Sequence, residues 1–528
     1  MKKSRRQPAR PKPAPDRSGR TGSPARRRVR NDNTFESLKD RFAEIADLNG
    51  ASAVLGWDQA TYMPRGGSDV RGRQLATLSR LAHERLIDAE TGRLIDRLEA
   101  SADRLDDVQS AFVAVARRDF DRASRVPPDL VAEIAAHANR AYGAWVKARP
   151  ANDFDAMRSL VADGVRLSRA YSACFKPKKH ILDPLIDASD PGFEVARLER
   201  LFGDLQIQLA PMVKAARSKA PADASCLHQT FPKPKQSAFI TRIAERVGYD
   251  LSRGRIDTSP HPFSITIGLG DVRITTRYAE DDFTEAFYST LHEAGHALYE
   301  QGLDPAFDRT PLAGGVSAGV HESQSRLWEN IVGRGEAFLG FLYPLLQKEA
   351  AGFRRVPFAA FERAVNRVTP SLVRTDADEL TYNLHVVVRF DLERRLIEGS
   401  LDPDDLPSAW NEAYEKALGV VPSSVSDGCL QDVHWYSGLI GGAFQGYAIG
   451  NILAAQFYEA AVRAHPGIPA DLGKGRFSAL HNWLATNVHR HGRRYMPDEL
   501  IRRATGSGLT IGPYVDYLRS KYTALGVL

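Results

Sequence analysis

Asp282-Phe283-Thr284-Glu285-Ala286-Phe287-Tyr288-Ser289-Thr290-Leu291-His292-Glu293-Ala294-Gly295-His296 continues to Gly302 and reads as one helix. Asp282, with Glu285 three residues on, marks its N-terminus. Phe283, Ala286, Phe287, Leu291, Ala294 and Leu298 then recur at helical spacing until Gly302 ends the run. Inside it lies a His-Glu-x-x-His motif, in which two imidazoles stand one turn apart on the same face, close enough for both to reach a single metal ion. Glu293 is rotated away from that face and can address a water at the metal without being a ligand. A surface helix with two solvated histidines is the plain alternative, and the capped apolar run argues against it.

A hydrolytic zinc site needs a third protein ligand and an open position, and in one large class that ligand is a Glu on a later helix. Glu322, in His321-Glu322-Ser323-Gln324, is placed to supply it: the Gly- and Pro-containing stretch from Asp304 to Gly319 gives the chain room to reverse. The helix it opens is predicted to run to about Phe338, with Leu327, Trp328, Ile331 and Val332 as its apolar face. Taken alone, Glu322 would be an ordinary first-turn acid favoured by the helix dipole. Upstream, Phe263–Ile267 and Val272–Thr276 alternate with period two around Gly268-Leu269-Gly270 and predict a β-hairpin just before the metal helix. Such an edge either holds extended substrate or is only scaffold. Elsewhere helical patterns dominate, as in Leu38–Leu48, Val70–Leu86, Val108–Ala123 and Leu130–Lys147, without an internal repeat. The expected fold class is mainly α, a large helical body with a small hairpin beside the zinc-binding helix.

Several further blocks lie in order along the chain. They are Leu55-Gly56-Trp57-Asp58-Gln59-Ala60-Thr61-Tyr62-Met63-Pro64, His261-Pro262-Phe263, Asp271-Val272-Arg273-Ile274-Thr275, Arg374-Thr375-Asp376-Ala377-Asp378-Glu379 and Gly428-Cys429-Leu430-Gln431-Asp432-Val433-His434-Trp435. With the two histidine motifs they resemble the thermostable (Taq-type) metallocarboxypeptidases, peptidase family M32, from near Leu38 to the C-terminal leucines. The resemblance implies removal of single residues from peptide C-termini in a mostly helical fold with a long narrow cleft, commonly as a homodimer. It marks Arg374 first and Arg273 second for the substrate carboxylate, since a planar guanidinium suits bidentate binding. The alternative for each is a salt bridge, to Asp376 or Asp378 and to Asp271. It also marks His434 as donor to the oxyanion, with a core histidine beside Trp435 as the alternative. Gln431 is a further substrate-side residue, and Asp432 or Gln431 could orient His434 or a metal ligand. Where many members read Gly-Tyr-Phe-Pro and a second Tyr, this chain reads Gly442-Ala443-Phe444-Gln445-Gly446-Tyr447. Tyr447 matches the second position, and Tyr436 is a nearby alternative to the missing hydroxyl. The expected cofactor is Zn2+, with Co2+ or Mn2+ as substitutes. An endopeptidase and a catalytically silent peptide-binding scaffold are the competing functions, and a scaffold has no physical need for Glu293 with three ligands.

Bulk composition agrees with a soluble enzyme: 528 residues, 43% hydrophobic and 26% charged. Cys174, Cys226 and Cys429 fit neither a disulfide framework nor a zinc knuckle, and a reducing cytoplasm is the simplest location. The net charge of +6 conceals a division, because residues 1–30 hold twelve Lys/Arg and one Asp, leaving the rest at −5. Residues 1–32 are therefore read as a disordered basic Pro/Arg-rich extension, and 33–528 as one catalytic domain. A solvated tail without a role is the preferred reading, over contact with nucleic acid or a transit peptide, whose amphipathic helix the prolines oppose. Tyr436–Tyr458 carries no formal charge but has five glycines, two glutamines and Asn451, and reads as a buried wall of the cleft, not a membrane span.

Overall fold

The computed structural model describes residues 24–176 and 179–528. Most of the basic extension, residues 1–23, lies outside them. Residues 24–32 are the start of the first helix, Pro24–Thr61, so the helix begins inside the segment that the sequence assigns to the tail. The other predicted helices form at Ser68–Ile87, Asp107–Arg125 and Pro128–Ala151. Leu38, Ile95, Phe112 and Val113 make a core of their own among the N-terminal helices, and Phe307 and Leu312, from the loop after the metal helix, are inserted into it. That insertion ties the N-terminal helices to the body that carries the site.

The metal helix spans Phe283–Gln301, with the Asp282 side chain accepting from Thr284 N–H at its start and Gly302 at its end. It is buried on nearly every side because two layers and the helix Lys233–Val247 close on it. The first is a three-stranded sheet, β1 (Ile256–Thr258), β2 (Ser264–Gly268) and β3 (Asp271–Thr276). β2 and β3 are the predicted hairpin, antiparallel, with Ile265 opposite Arg273 and an irregularity between Thr266 and Gly268. β1 adds in parallel to the other edge of β3, a pairing that three residues of sequence do not announce. Central β3 buries Val272 and Ile274, and Thr276 Oγ1 donates to Ala286 O at 3.1 Å, pinning sheet to helix.

The second layer carries Glu322, and here the sequence expectation needs correction. Instead of one helix from Glu322 to Phe338, a helix starts at Ala318, capped by the Ser317 hydroxyl on Val320 N–H. It passes into a π-helical segment over Leu327–Val332 and stops before a separate helix, Glu336–Glu349. Gly333 and Gly335 account for the break, since each glycine costs a helix interior roughly 1 kcal/mol relative to Ala. Behind that second layer, packed on the Glu322 helix, lies the helix Gln445–Ala464, in which Ile449, Ile452, Leu453 and Phe457 are fully buried. It is the internal wall expected from Tyr436–Tyr458, and no helix of the described residues is long and apolar enough to cross a membrane.

Two glycines set how closely these layers approach. A Cβ on Gly295 would lie 2.6 Å from Ser325 Cα, and one on Gly450 would lie 2.5 Å from Glu322 Cγ and 2.6 Å from its Cβ. Gly450→Ala is therefore expected to push Glu322 off its position and weaken metal retention in dialysis, at a stability cost of about 1–3 kcal/mol from overpacking. Unchanged metal content and thermal midpoint would show that the helix interface relaxes freely.

Candidate metal centre and substrate site

His292 and His296 leave the metal helix side by side and meet Glu322 from the facing helix. Their ligand atoms lie within 4.8 Å of one another. Glu322 Oε2 is 3.8 Å from His292 Nε2 and 3.4 Å from His296 Nε2. Donors held about 2.1 Å from a tetrahedral ion stand roughly 3.4 Å apart, so these separations suit a divalent metal ion.

The outward nitrogens give a second test of fit. His292 Nδ1 is 2.8 Å from Glu329 Oε2, so an N–H there donates to a carboxylate and leaves Nε2 free to ligate. His296 Nδ1 is 2.6 Å from His321 Nδ1, and His321 Nε2 is 2.9 Å from Glu300 Oε1. One tautomer assignment satisfies the whole row: His296 donates from Nδ1 to His321, which donates from Nε2 to Glu300. Both imidazoles are thus held by Nδ1 with their Nε2 atoms toward Glu322. Arg326 donates to Glu322 Oε1 at 2.6 Å and to Glu329 Oε2 at 3.2 Å.

Charges in this pocket are strongly coupled. Burial would raise the Glu322 carboxyl, but Arg326 and the two imidazoles outweigh it and hold the group well below the carboxylate range. Burial pushes His296 down to about 4, while Glu322 and Glu329 overcome burial at His292 and raise it to about 9. Beside them Glu293 is 7% exposed, and burial raises its carboxyl to about 7, against the opposing charge of His292. A carboxyl balanced near neutrality is what a general base for hydrolysis requires.

The predicted substrate-side residues gather around Asp432. Arg374 donates from Nη2 to Asp432 Oδ1 at 2.9 Å and from Nε to Oδ2 at 3.0 Å, and Nη1 donates to the Tyr382 hydroxyl at 3.0 Å. Its salt-bridge partner is neither Asp376 nor Asp378. Arg389, fully buried, adds a donor to Asp432 Oδ2 at 2.6 Å. Gln431 is used up inside the protein: Oε1 accepts from Arg374 N–H and Arg389 Nη2, and Nε2 donates to Leu372 O and Asp427 O. With all four of its hydrogen-bonding positions engaged, it holds the Arg374 loop in place and has nothing left for a substrate. His434 is partly exposed, with Nδ1 3.2 Å from Asp432 Oδ1 and Nε2 3.1 Å from the Tyr447 hydroxyl. Trp435, not His434, is the core residue, its indole N–H donating to Glu393. Arg273 stands apart on β3, forked on Asp271 at 2.8 and 2.6 Å with its guanidinium over the Trp57 ring.

The carboxypeptidase Taq (M32) metallopeptidase family matches this chain over residues 37–522. The chain belongs to that family. Thermostable carboxypeptidase 1 of Thermus thermophilus is 39% identical over 503 residues, covering 93% of this chain and 98% of that protein. The crystal structure of an M32 carboxypeptidase from Deinococcus radiodurans R1 superposes with a TM-score of 0.92 at 48% identity, covering 94% of this chain and 100% of that one. Metallocarboxypeptidase 1 of Trypanosoma cruzi gives 0.89 at 30% identity, over 93% and 99%. The protein is accordingly a metallocarboxypeptidase, a family that implies a divalent metal, and its His-His-Glu cluster has the spacing to hold one.

Within this M32 enzyme the alternatives at the variant tyrosine position separate. Tyr436 is fully buried and donates to Cys429 O at 3.0 Å, so it cannot replace a hydroxyl missing at Ala443, which is itself exposed. Tyr447 is the hydroxyl that remains beside His434. Sequence reasoning missed Glu329, His321, Glu300 and Tyr382. A signal for the first existed: Glu322, Arg326 and Glu329 repeat at i, i+4 and i+7 and share a helix face. Tyr382 joins the two halves of the site, because its ring lies 4.3 Å from the Arg326 guanidinium carbon while its hydroxyl takes Arg374.

Proposed function

We propose that this enzyme releases single residues from peptide C-termini with Zn2+ held by His292, His296 and Glu322, Co2+ or Mn2+ being able to substitute. The observation that carries the reading is the convergence of those three donors beside a buried Glu293. Bound there, the cation supplies Lewis acidity for the scissile carbonyl and lowers the pKa of water. Glu293 takes the proton of the attacking water and delivers it to the leaving amine. His434 and Tyr447 face the oxyanion as a hydrogen-bonded pair. With His434 Nδ1–H given to Asp432, the mobile donor is the Tyr447 hydroxyl.

Arg273 and Arg374 remain the residues for the terminal carboxylate, Arg374 through the two N–H groups that Asp432 and Tyr382 leave over. Residues 33–528 act as one catalytic domain, for which the insertion of Phe307 and Leu312 into the N-terminal core is support. Homodimer formation and a cytoplasmic location complete the proposal.

Metal analysis joined to timed mass spectrometry of a digested peptide tests this reading. Successive loss of terminal residues is expected, and C-terminal amidation should nearly stop it, since a desolvated charge-assisted pair is worth about 1.5–3 kcal/mol. Internal cleavage of amidated peptide at comparable rates would make the enzyme an endopeptidase. If Arg374 contacts the carboxylate, Arg374→Ala lowers kcat/KM more for the free acid than for the amide. Equal losses would leave Arg374 a structural partner of Asp432 and turn the same test to Arg273.

A further inference from the structure

Next to the metal centre, at His321, lies a cavity of about 340 Å³ lined by Arg118, Asp119, Arg122 and Arg493 together with Ser317 and Ala318. None of Arg273, Arg374, His434 or Tyr447 lines it, so it is separate from the substrate residues proposed above. The carboxylates around it are already committed. Arg493 holds Asp119 in a fork at 2.8 and 2.7 Å, and Arg122 donates to Asp187 Oδ2 at 2.6 Å. Asp190, behind Ser189, is turned inward, accepting from Gly319 N–H at 2.7 Å and from Gln445.

Arg118 is left over in this arrangement. It donates from Nη2 to Asp187 O at 2.7 Å and is 3.7 Å from Asp187 Oδ2, which Arg122 occupies more closely. Its Nε and Nη1 have no partner among the described residues. Burial disfavours its charge, and Arg122 and Arg493 add to that against the opposing pull of Asp187. A half-buried guanidinium with spare donors, in a cavity whose carboxylates are all engaged by other groups, is complementary to a planar or tetrahedral oxyanion.

We propose that this cavity binds a small oxyanion, of carboxylate or phosphate class, with Arg118 as its principal donor. The volume admits an ion of that size, and the site touches the metal shell through His321, whose Nδ1 meets His296. The ion is either free in solution or carried by the peptide, and both sources present the same group to Arg118.

The test is calorimetric titration of inorganic phosphate and of acetate into the holoenzyme at constant ionic strength. Saturable binding is expected in the wild type and about tenfold weaker binding in Arg118→Gln, the loss of one charge-assisted pair. Arg118→Lys keeps the charge without the planar fork and should fall between them. It also keeps the test alive should Arg118→Gln lower the thermal midpoint. No saturable heat in the wild type would overturn the proposal. So would unchanged affinity in both variants, which would place the anion on the metal instead. If binding holds, peptide kinetics name the source. A raised KM in Arg118→Gln with competitive phosphate inhibition means a peptide-borne carboxylate, whereas an unchanged KM means a free ion. The binding arm does not depend on the proposed reaction, and only the kinetic arm rests on it.

Discussion

Glu293→Gln is expected to lower kcat by about 10²- to 10⁴-fold, the contribution of a positioned acid–base group, while the protein keeps its wild-type metal content. Gln preserves the size of the side chain and its place beside His292, but it cannot accept a proton from water. The contrasting change is Glu322→Ala, which removes one of three donors and leaves two imidazoles, an incomplete site for zinc. Metal and activity should disappear together in that variant. Measuring metal by elemental analysis alongside single-turnover rates separates the two roles. A Glu293→Gln enzyme with near-normal kcat would remove Glu293 from proton transfer, and a Glu322→Ala enzyme with full metal would mean that another residue completes the centre.

The parts of this site legible in sequence are those written in local periodicity. Asp282, the apolar repeat and Gly302 define the metal helix without reference to anything distant, and the alternation around Gly268–Gly270 does the same for the hairpin. The unread parts are long-range pairings. Glu329 reaches His292 across 37 positions and Asp432 reaches Arg374 across 58, so no window of sequence contains both partners. Proximity in sequence even misdirects. Asp378, four residues from Arg374, accepts from the backbone N–H groups of Thr369 and Thr381 instead. The π-helical segment after Arg326 is invisible for a related reason: side-chain spacing shows which face is apolar, not which carbonyl each N–H selects. The close approach at Gly450 is likewise a property of two helices, and a lone glycine does not say what comes near it.

Asp432→Asn is expected to have the largest effect on stability, about 3–5 kcal/mol, because removing one member of a buried ionic cluster strands the others. Asp432 is 8% exposed and takes contacts from Arg374, Arg389 and His434. An amide in its place presents an N–H₂ to one of these groups, and two buried guanidinium groups lose the anion between them. Asp271→Asn is the matched control: its forked partner Arg273 is partly covered by Trp57, but Asp271 itself is 37% exposed, so water can replace the lost anion and the cost should be the roughly 0–1 kcal/mol of exposed pairs. The pH dependence has a definite sign. Burial would raise the Asp432 carboxyl, but the His434 hydrogen bond and the two arginines hold it far below the carboxylate range. Its contribution is therefore fully present above the unfolded-state value of about 3.9 and is lost progressively as the pH falls below that. The stability gap between wild type and Asp432→Asn should stay constant from neutrality down to about pH 4 and narrow only under more acid conditions. Denaturant titrations of both proteins across that range would reveal it. A gap no larger than that of Asp271→Asn would mean that the arginines find water or other acceptors, and that the cluster fixes His434 and Tyr447 without holding the fold.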